Sequence, residues 1–215
     1  MKISVCIPCH INDFEDLKKL IINLNSQSRK PDEVIIFIKP VNKNFLDNKN
    51  LFLDKEINYQ IITDSKYSTM GYGKNRCIEK ATGDIICLMD SDDTVHFSKI
   101  EFVEKFMKNN LNCDIMVHGY HYNDIDALNN LKINLEDESY SACHADPKTL
   151  GITTSCGSEL HHAHASFRRD VIKNNMFPEE NIAYRIDDSV MLKLLLKKNY
   201  NIFFSKHKFI SFNNI

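Results

Sequence analysis

Residues 81–94 read ATGDIICLMDSDDT, an apolar run from Ile85 to Met89 that ends on three carboxylates, Asp90, Asp92 and Asp93, within four positions. A short apolar run rich in β-branched residues is what a strand buried on both faces needs, and that burial is typical of parallel sheets. Three mutually repelling charges at its end are either a solvated turn, with Asp93 as a helix cap, or a site for something positive. In open α/β sheets ligands bind beyond the carboxyl ends of the strands. Clustered carboxylates there are hard oxygen donors suited to Mg²⁺ or Mn²⁺, with phosphate completing the coordination.

Working outward, KISVCIP (2–8) is a second buried strand, and Asn12 or Asp13 can cap a helix with an apolar face of Phe14, Leu17, Leu20, Ile21 and Leu24. EVIIFI (33–38) and INYQIIT (57–63) read as further strands. STMGYG (68–73) reads as a glycine-bearing loop, followed by a short helix, KNRCIEKAT, with Gly83 as its C-terminal cap. Downstream come an amphipathic helix at 97–110, a strand at 113–122, and a mixed stretch from about 124 to 160. A strand running into a short helix (HAHASFRRDVIKNN), a helix (DDSVMLKLLLKKN) and a final strand (YNIFFS) complete the chain. Alternation of strands and helices predicts one α/β domain over 1–215 around a Rossmann-like, mostly parallel sheet flanked by helices.

Bulk properties narrow the function classes. The 215 residues are 43% hydrophobic and 26% charged, with a formal net charge of -2, which provides no footprint for nucleic acid or an anionic membrane. No run is long and apolar enough to span a bilayer, and ISVCIP is too short for a signal peptide, so a cytoplasmic location is expected. The seven cysteines are odd in number and scattered in strand-like contexts, which suits reduced thiols. Cys6 and Cys9 form a CxxC, but Pro8 lies between them and no helix follows at once, unlike redox motifs.

Four stretches taken together, ISVCIPCH, NSQSRKPDEVIIF, GYGKNRCIEKATGDIICLMDSDDT and FRRDVI…DDSVMLKLLL, resemble the family 2 glycosyltransferases of GT-A fold. Gln27, Lys74-Asn75, Ala81-Thr82-Gly83-Asp84 and Asp90-Ser91-Asp92-Asp93 carry the likeness in order and spacing. It covers about 2–110 closely and 164–210 more loosely. The resemblance implies a nucleotide-sugar half (about 1–110) and an acceptor and catalytic-base half (about 111–215). Its donor would be a nucleotide-diphosphate sugar, a UDP-sugar by family habit, and its acceptor a hydroxyl of a glycan, lipid or protein.

By that resemblance Asp90 contacts the donor's ribose or sugar, and Asp92 holds a divalent cation, Mn²⁺ or Mg²⁺, on the diphosphate with Asp93 in support. Lys74 stands where the family has Arg and would contact diphosphate or sugar. Read as a lysine at a helix start, it would oppose the dipole, which favours a ligand role over a solvated one. Pro8, Cys9 and His10 lie where the family's first loop wraps the base, with His10 in place of an aromatic. After the second strand the family's acidic motif is replaced by Lys39-Pro40, and Asp64 is the candidate substitute for base contact, against a plain turn aspartate. Asp187-Asp188 match the family's acidic pair at a helix start, the second member being the base that takes the acceptor proton; complementing the helix dipole is the plainer account. One base and no covalent nucleophile imply inversion.

His207 in FFSKHKF is a candidate late metal or phosphate ligand, the alternative being a surface histidine. In HHAH (161–164) only His162 and His164 would share a strand face, and no further ligands complete a zinc site. With no Trp, the processive synthases' Gln-x-x-Arg-Trp is missing, so a non-processive enzyme is expected. A catalytically silent scaffold and a sugar-phosphate nucleotidyltransferase are the rivals, the latter disfavoured because PCHINDFED lacks a Gly-rich phosphate loop.

Overall fold

A computed structural model describes residues 1–39, 54–65, 69–122, 125–145, 152–153, 165–179, 191 and 194–212. The expected first strand is β1 (Ile3–His10), followed by a 3-10 turn (Ile11–Asp13) and α1 (Phe14–Asn25). Then come β2 (Glu33–Lys39), β3 (Asn58–Thr63), α2 (Met70–Lys80), β4 (Ile85–Leu88) and a two-residue β5 (Thr94–Val95). The second half holds α3 (Lys99–Asn109), β6 (Ile115–Tyr122), α4 (Ile125–Asn129), β7 (Tyr140–Ala145) and β8 (Ile152–Thr153). It closes with β9 (Ala165–Arg168), α5 (Arg169–Lys173) and β10 (Ile202–Phe212).

The described strands share one sheet in the order β3-β2-β1-β4-β9-β6-β10-β7-β8, with β5 paired to β10. β3, β2, β1 and β4 are mutually parallel. β9 is antiparallel to both β4 and β6, and β6 and β10 are again parallel. The side-chain alternation of β1 divides the core. Ile3, Val5, Ile7 and Cys9 face α1 and α3, through Leu17, Leu20, Ile21, Leu24, Ile100, Phe102, Val103 and Phe106. Cys6 faces the opposite layer, with Cys77 and Ile78 of α2, Val171 and Ile172 of α5, and Leu195 and Leu196. The result is the three-layer helix, sheet, helix sandwich of an α/β domain. It also settles the CxxC, since Cys6 and Cys9 point to opposite faces. Burial pushes both thiols up, Cys9 to about 12, and no described cysteine is in a disulfide.

Three local expectations differ. α2 begins at Met70, so the stretch read as a glycine loop is its first turn, with Thr69 as N-cap accepting a bond from the Tyr72 amide at 3.2 Å. A glycine-rich start is tolerated because the helix runs against neighbouring chain: a Cβ on Gly71 would come within 2.2 Å of the Pro178 carbonyl oxygen. α2 ends with Ala81 as C-cap in extended conformation, so Gly83 is no helix cap. Asp13 stands at the N-cap of α1 without a side-chain cap bond; instead His10 Nδ1 accepts from the Asn12 amide at 3.2 Å and caps the 3-10 turn.

Gly83 and its neighbours belong to a buried polar knot at the amino ends of β1 and β2. The carboxylate of Glu33 (1% exposed) accepts bonds from Ser4 Oγ, from the Thr82 amide at 2.6 Å, from Thr82 Oγ1 at 2.9 Å and from the Gly83 amide at 3.1 Å. Lys2 Nζ lies 3.2 Å away. Burial works against the charge, but the donors from Ser4, Thr82 and Lys2 prevail and hold Glu33 down to about 2. A depressed carboxylate stabilises the fold above its unfolded pKa and loses that contribution as pH falls toward its folded value. Glu33→Gln is therefore expected to flatten the acid limb of the stability curve between about pH 4.5 and pH 2. Urea melts across that window check it, and a parallel, merely lowered limb would refute it.

Candidate active site

From β1 the chain moves outward through β2 to β3, then returns across to β4 on the other side of β1. This reversal is the topological switch point, where the loops leaving neighbouring strands diverge and open a crevice. The structure brings the candidates from these strand ends together there. β1 delivers Pro8, Cys9 and His10; His10 is in register with Lys39 of β2, and the Asp64 amide donates to the Ile38 carbonyl at 3.3 Å. The Met89 amide donates to the Cys6 carbonyl at 3.1 Å, which sets Asp90–Asp93 just past β4, beside the end of β1. Cys9 lies against Ser91 and in the field of Asp92, Asp13 and Asp16, so α1 adds negative charge to the crevice.

Burial is what makes the acidic loop unusual. Asp93 is 3% exposed, and among the described residues neither of its carboxylate oxygens has a hydrogen-bond partner in good geometry. Burial and the neighbouring Asp90 and Asp92 push its pKa up to about 9, with Lys99 pulling the other way. Asp92, half-buried, is pushed up to about 6 by burial and by Asp90. A buried carboxylate whose oxygens lack partners costs free energy unless something completes it. Three carboxylates clustered here, one of them so buried, are hard oxygen donors that fit a divalent cation, although no three His, Cys, Asp or Glu side chains among the described residues already form a ligand set.

Lys99, the first residue of α3, is 1% exposed, its charge disfavoured by burial, to about 8, and supported by Cys87, Asp93 and Asp90. It is the internal counter-charge of the acidic loop, and sequence reasoning missed it. The signal was available: a lysine in the first turn of a helix opposes the dipole, the same argument applied to Lys74. Gln27, prominent in the family likeness, orients α3. Its Nε2 donates to the His96 carbonyl at 2.9 Å and its Oε1 accepts from the Ile100 amide at 3.2 Å.

The cationic side is made by Lys39 and Lys74. Lys74 is not at a helix start, since α2 begins four residues earlier, so the dipole argument does not apply to it. It is 1% exposed, with Nζ 4.7 Å from the centroid of the Phe177 ring. Lys39 is equally buried and donates from Nζ to the Thr69 carbonyl at 2.5 Å. Burial, with Lys74 adding to it and Asp64 opposing, brings it down to about 8. The lysine that replaces the family's acid thus ties the end of β2 to the N-cap of α2. Asp64 accepts a bond from Tyr72 Oη at 3.3 Å.

His207 is engaged elsewhere. Its Nε2 contacts the Asp137 carbonyl at 3.1 Å, and its ring packs edge-on against Phe102 at 5.1 Å. Asp187, Asp188, Pro40, His161, His162 and His164 lie outside the described residues.

A parallel sheet with a switch-point crevice, an acidic loop after β4 and an antiparallel strand inserted beside it define a GT-A glycosyltransferase fold. The model of glycosyl transferase family 2 matches residues 4–174, and the chain belongs to that family. Among solved structures, it is similar to S. aureus TarS 1-349 in complex with UDP-GlcNAc, with a TM-score of 0.74, 17% identity, and coverage of 100% of this chain and 59% of that one. It is also similar to the mannosyltransferase PcManGT from Pyrobaculum calidifontis in complex with GDP-Man and Mn²⁺ (TM-score 0.61, 14% identity, 98% and 56% coverage). The chain thus spans less than two thirds of the length of these structures. A comparison with curated proteins finds no match. Among the described residues, no helix is long and apolar enough to cross a membrane.

Proposed function

We propose that this chain is a metal-dependent, inverting glycosyltransferase that moves a single sugar from a nucleotide-diphosphate sugar to a hydroxyl acceptor. The observation that carries the reading is the buried Asp93 carboxylate, both oxygens without well-formed hydrogen bonds among the described residues, within a cluster of three carboxylates at the switch point. Asp92 and Asp93 would hold the cation, which when bound supplies positive charge against the diphosphate. Asp90 binds the donor's ribose or sugar, and Lys74 binds its diphosphate or sugar as a point charge. Pro8, His10 and Asp64 line the base side. Asp188 accepts the proton of the acceptor hydroxyl while that oxygen bonds to the anomeric carbon from the face opposite the diphosphate. The carbon–oxygen bond to the diphosphate breaks, and the nucleoside diphosphate leaves with the bonding electrons. Asp187 supports Asp188. TarS with UDP-GlcNAc and PcManGT with GDP-Man make uridine and guanosine donors the first to try. Reduced, buried thiols suit a reducing compartment such as the cytoplasm.

A thermal-shift screen against nucleoside diphosphates and nucleotide sugars, with and without Mn²⁺, tests this, because a ligand bound only by the native state raises its apparent stability. Stabilisation that needs both one nucleotide and the metal is expected. Asp92→Ala is expected to lose that shift, whereas Asp188→Asn keeps it and loses transfer, read as nucleoside diphosphate release with acceptor present. Equal loss of donor binding in both variants would overturn the division of roles. No shift from the folded wild-type protein would favour a silent relative.

A further inference from the structure

Asn75, immediately after Lys74 on α2, is 2% exposed and has every polar atom of its side chain committed. Oδ1 accepts from the Phe177 amide at 2.9 Å; Nδ2 donates to the Phe177 carbonyl at 2.9 Å and to Glu179 Oε1 at 2.7 Å. The side-chain amide therefore pairs with both backbone groups of one residue, as a neighbouring strand would. The same three-residue strap is held twice more by this helix. Thr69 Oγ1 donates to the Glu179 carbonyl at 3.1 Å, and the Gly71 backbone sits so close to Pro178 that no side chain fits between them.

What the clasp fixes is the Phe177 ring, 3% exposed, which lies beneath the Lys74 ammonium. A four-carbon side chain has many rotamers, and a buried ring at its tip selects among them at low entropic cost. We infer that Asn75 is a positioning residue for the donor site: by clasping the backbone of Phe177 it sets where the Lys74 ammonium stands in the crevice. This rests on the donor-binding role proposed above for Lys74. Only an amide serves. Asp keeps the acceptor for the Phe177 amide but turns a carboxylate oxygen toward two acceptors, the Phe177 carbonyl and Glu179, where the donor had been.

The test is a double-mutant cycle on affinity for UDP and for GDP, each with Mn²⁺, measured by calorimetry on the full chain. Asn75→Asp and Lys74→Met are each expected to weaken binding about tenfold, the size of one lost charge-assisted contact. The combined variant is expected to bind no more weakly than Lys74→Met alone. Adding Glu179→Gln to Asn75→Asp restores a donor opposite the carboxylate and is expected to recover part of the loss, and it also serves if Asn75→Asp alone folds poorly. Full additivity of the two losses, or unchanged affinity in Asn75→Asp beside a weakened Lys74→Met, would overturn the inference and leave the donor reading standing. A folded wild-type protein that binds neither nucleotide would instead defeat the donor reading itself, and the inference with it.

Discussion

Asp93→Asn is expected to make the metal-free protein more stable at pH 7 to 8, an unusual outcome for a substitution of a buried residue. Asp93 is buried, its oxygens lack well-formed hydrogen bonds among the described residues, and its folded pKa stands near 9 against an unfolded value of 3.8. The sign follows from proton counting. Below pH 3.8 the carboxyl is neutral in both states and its burial is tolerated. Between pH 3.8 and 9 the unfolded chain releases the proton while the folded chain keeps it, so stability falls as pH rises, by about 1.4 kcal/mol per unit. At pH 7, about three units above 3.8, the cost is on the order of 4 kcal/mol, the opposing charge of Lys99 being already contained in the folded value. Asn carries no charge to bury and escapes it. In the wild-type protein Mn²⁺ would relieve the same cost, so stabilisation by metal is expected to grow from pH 6 to pH 9 and to shrink in the variant. Thermal melts with chelator or Mn²⁺ across pH 5 to 9 check both halves. A variant less stable than the wild type throughout would show that Asp93 is stabilised where it stands.

The second large effect is steric. An alanine at position 83 would bring its Cβ to 2.4 Å from Ser4 Oγ and 2.6 Å from the Ser4 backbone nitrogen. The hydroxyl could rotate; the nitrogen cannot, because Ser4 lies inside β1 between two parallel partners. Relief requires moving residues 82–84 away from β1, which stretches the bonds from the Gly83 amide to Ser4 Oγ (2.8 Å) and Glu33 (3.1 Å). That weakens the support of a buried carboxylate as well as the packing. A loss of about 3 kcal/mol or more is expected, read as a lower urea midpoint with an unchanged slope. A wild-type midpoint would mean that the turn after α2 shifts freely.

The elements that were legible are those in which one physical demand dominates. Val34 to Ile38 and Ile85 to Leu88 are apolar because both sheet faces are covered, and Leu17, Leu20, Ile21 and Leu24 recur at helical spacing because one face is. The acidic loop could be located because it terminates such a strand. What escaped depends on partners distant in sequence. Gly71 and Gly83 look like loop and cap, yet each is small because another segment passes beside it. Lys39 and Lys99 look like surface charges, yet both are buried. The helix-start position of Lys99 hints at a counter-charge but does not say which carboxylates it faces. β10 was expected as the six residues YNIFFS, but it runs for eleven. Polar residues from Ser205 onward can lie in it because β5, β6 and β7 supply its hydrogen bonds. The family likeness located Asn75 without disclosing its task, which became visible only with Phe177 and Glu179 in place.

The strand order has a consequence for how the chain is made. β4 lies between β1 and β9, and the Cys87–Ser166 contact across its second edge spans 79 residues of sequence. At translation speeds of about 5 to 20 residues per second, the apolar edge of residues 85–88 waits on the order of 4 to 16 seconds for its partner. During that interval the nascent protein carries an unfinished, aggregation-prone ribbon. The Asp84 and Asp90 charges at its two ends are then gatekeepers, discouraging another nascent chain from docking where β9 belongs.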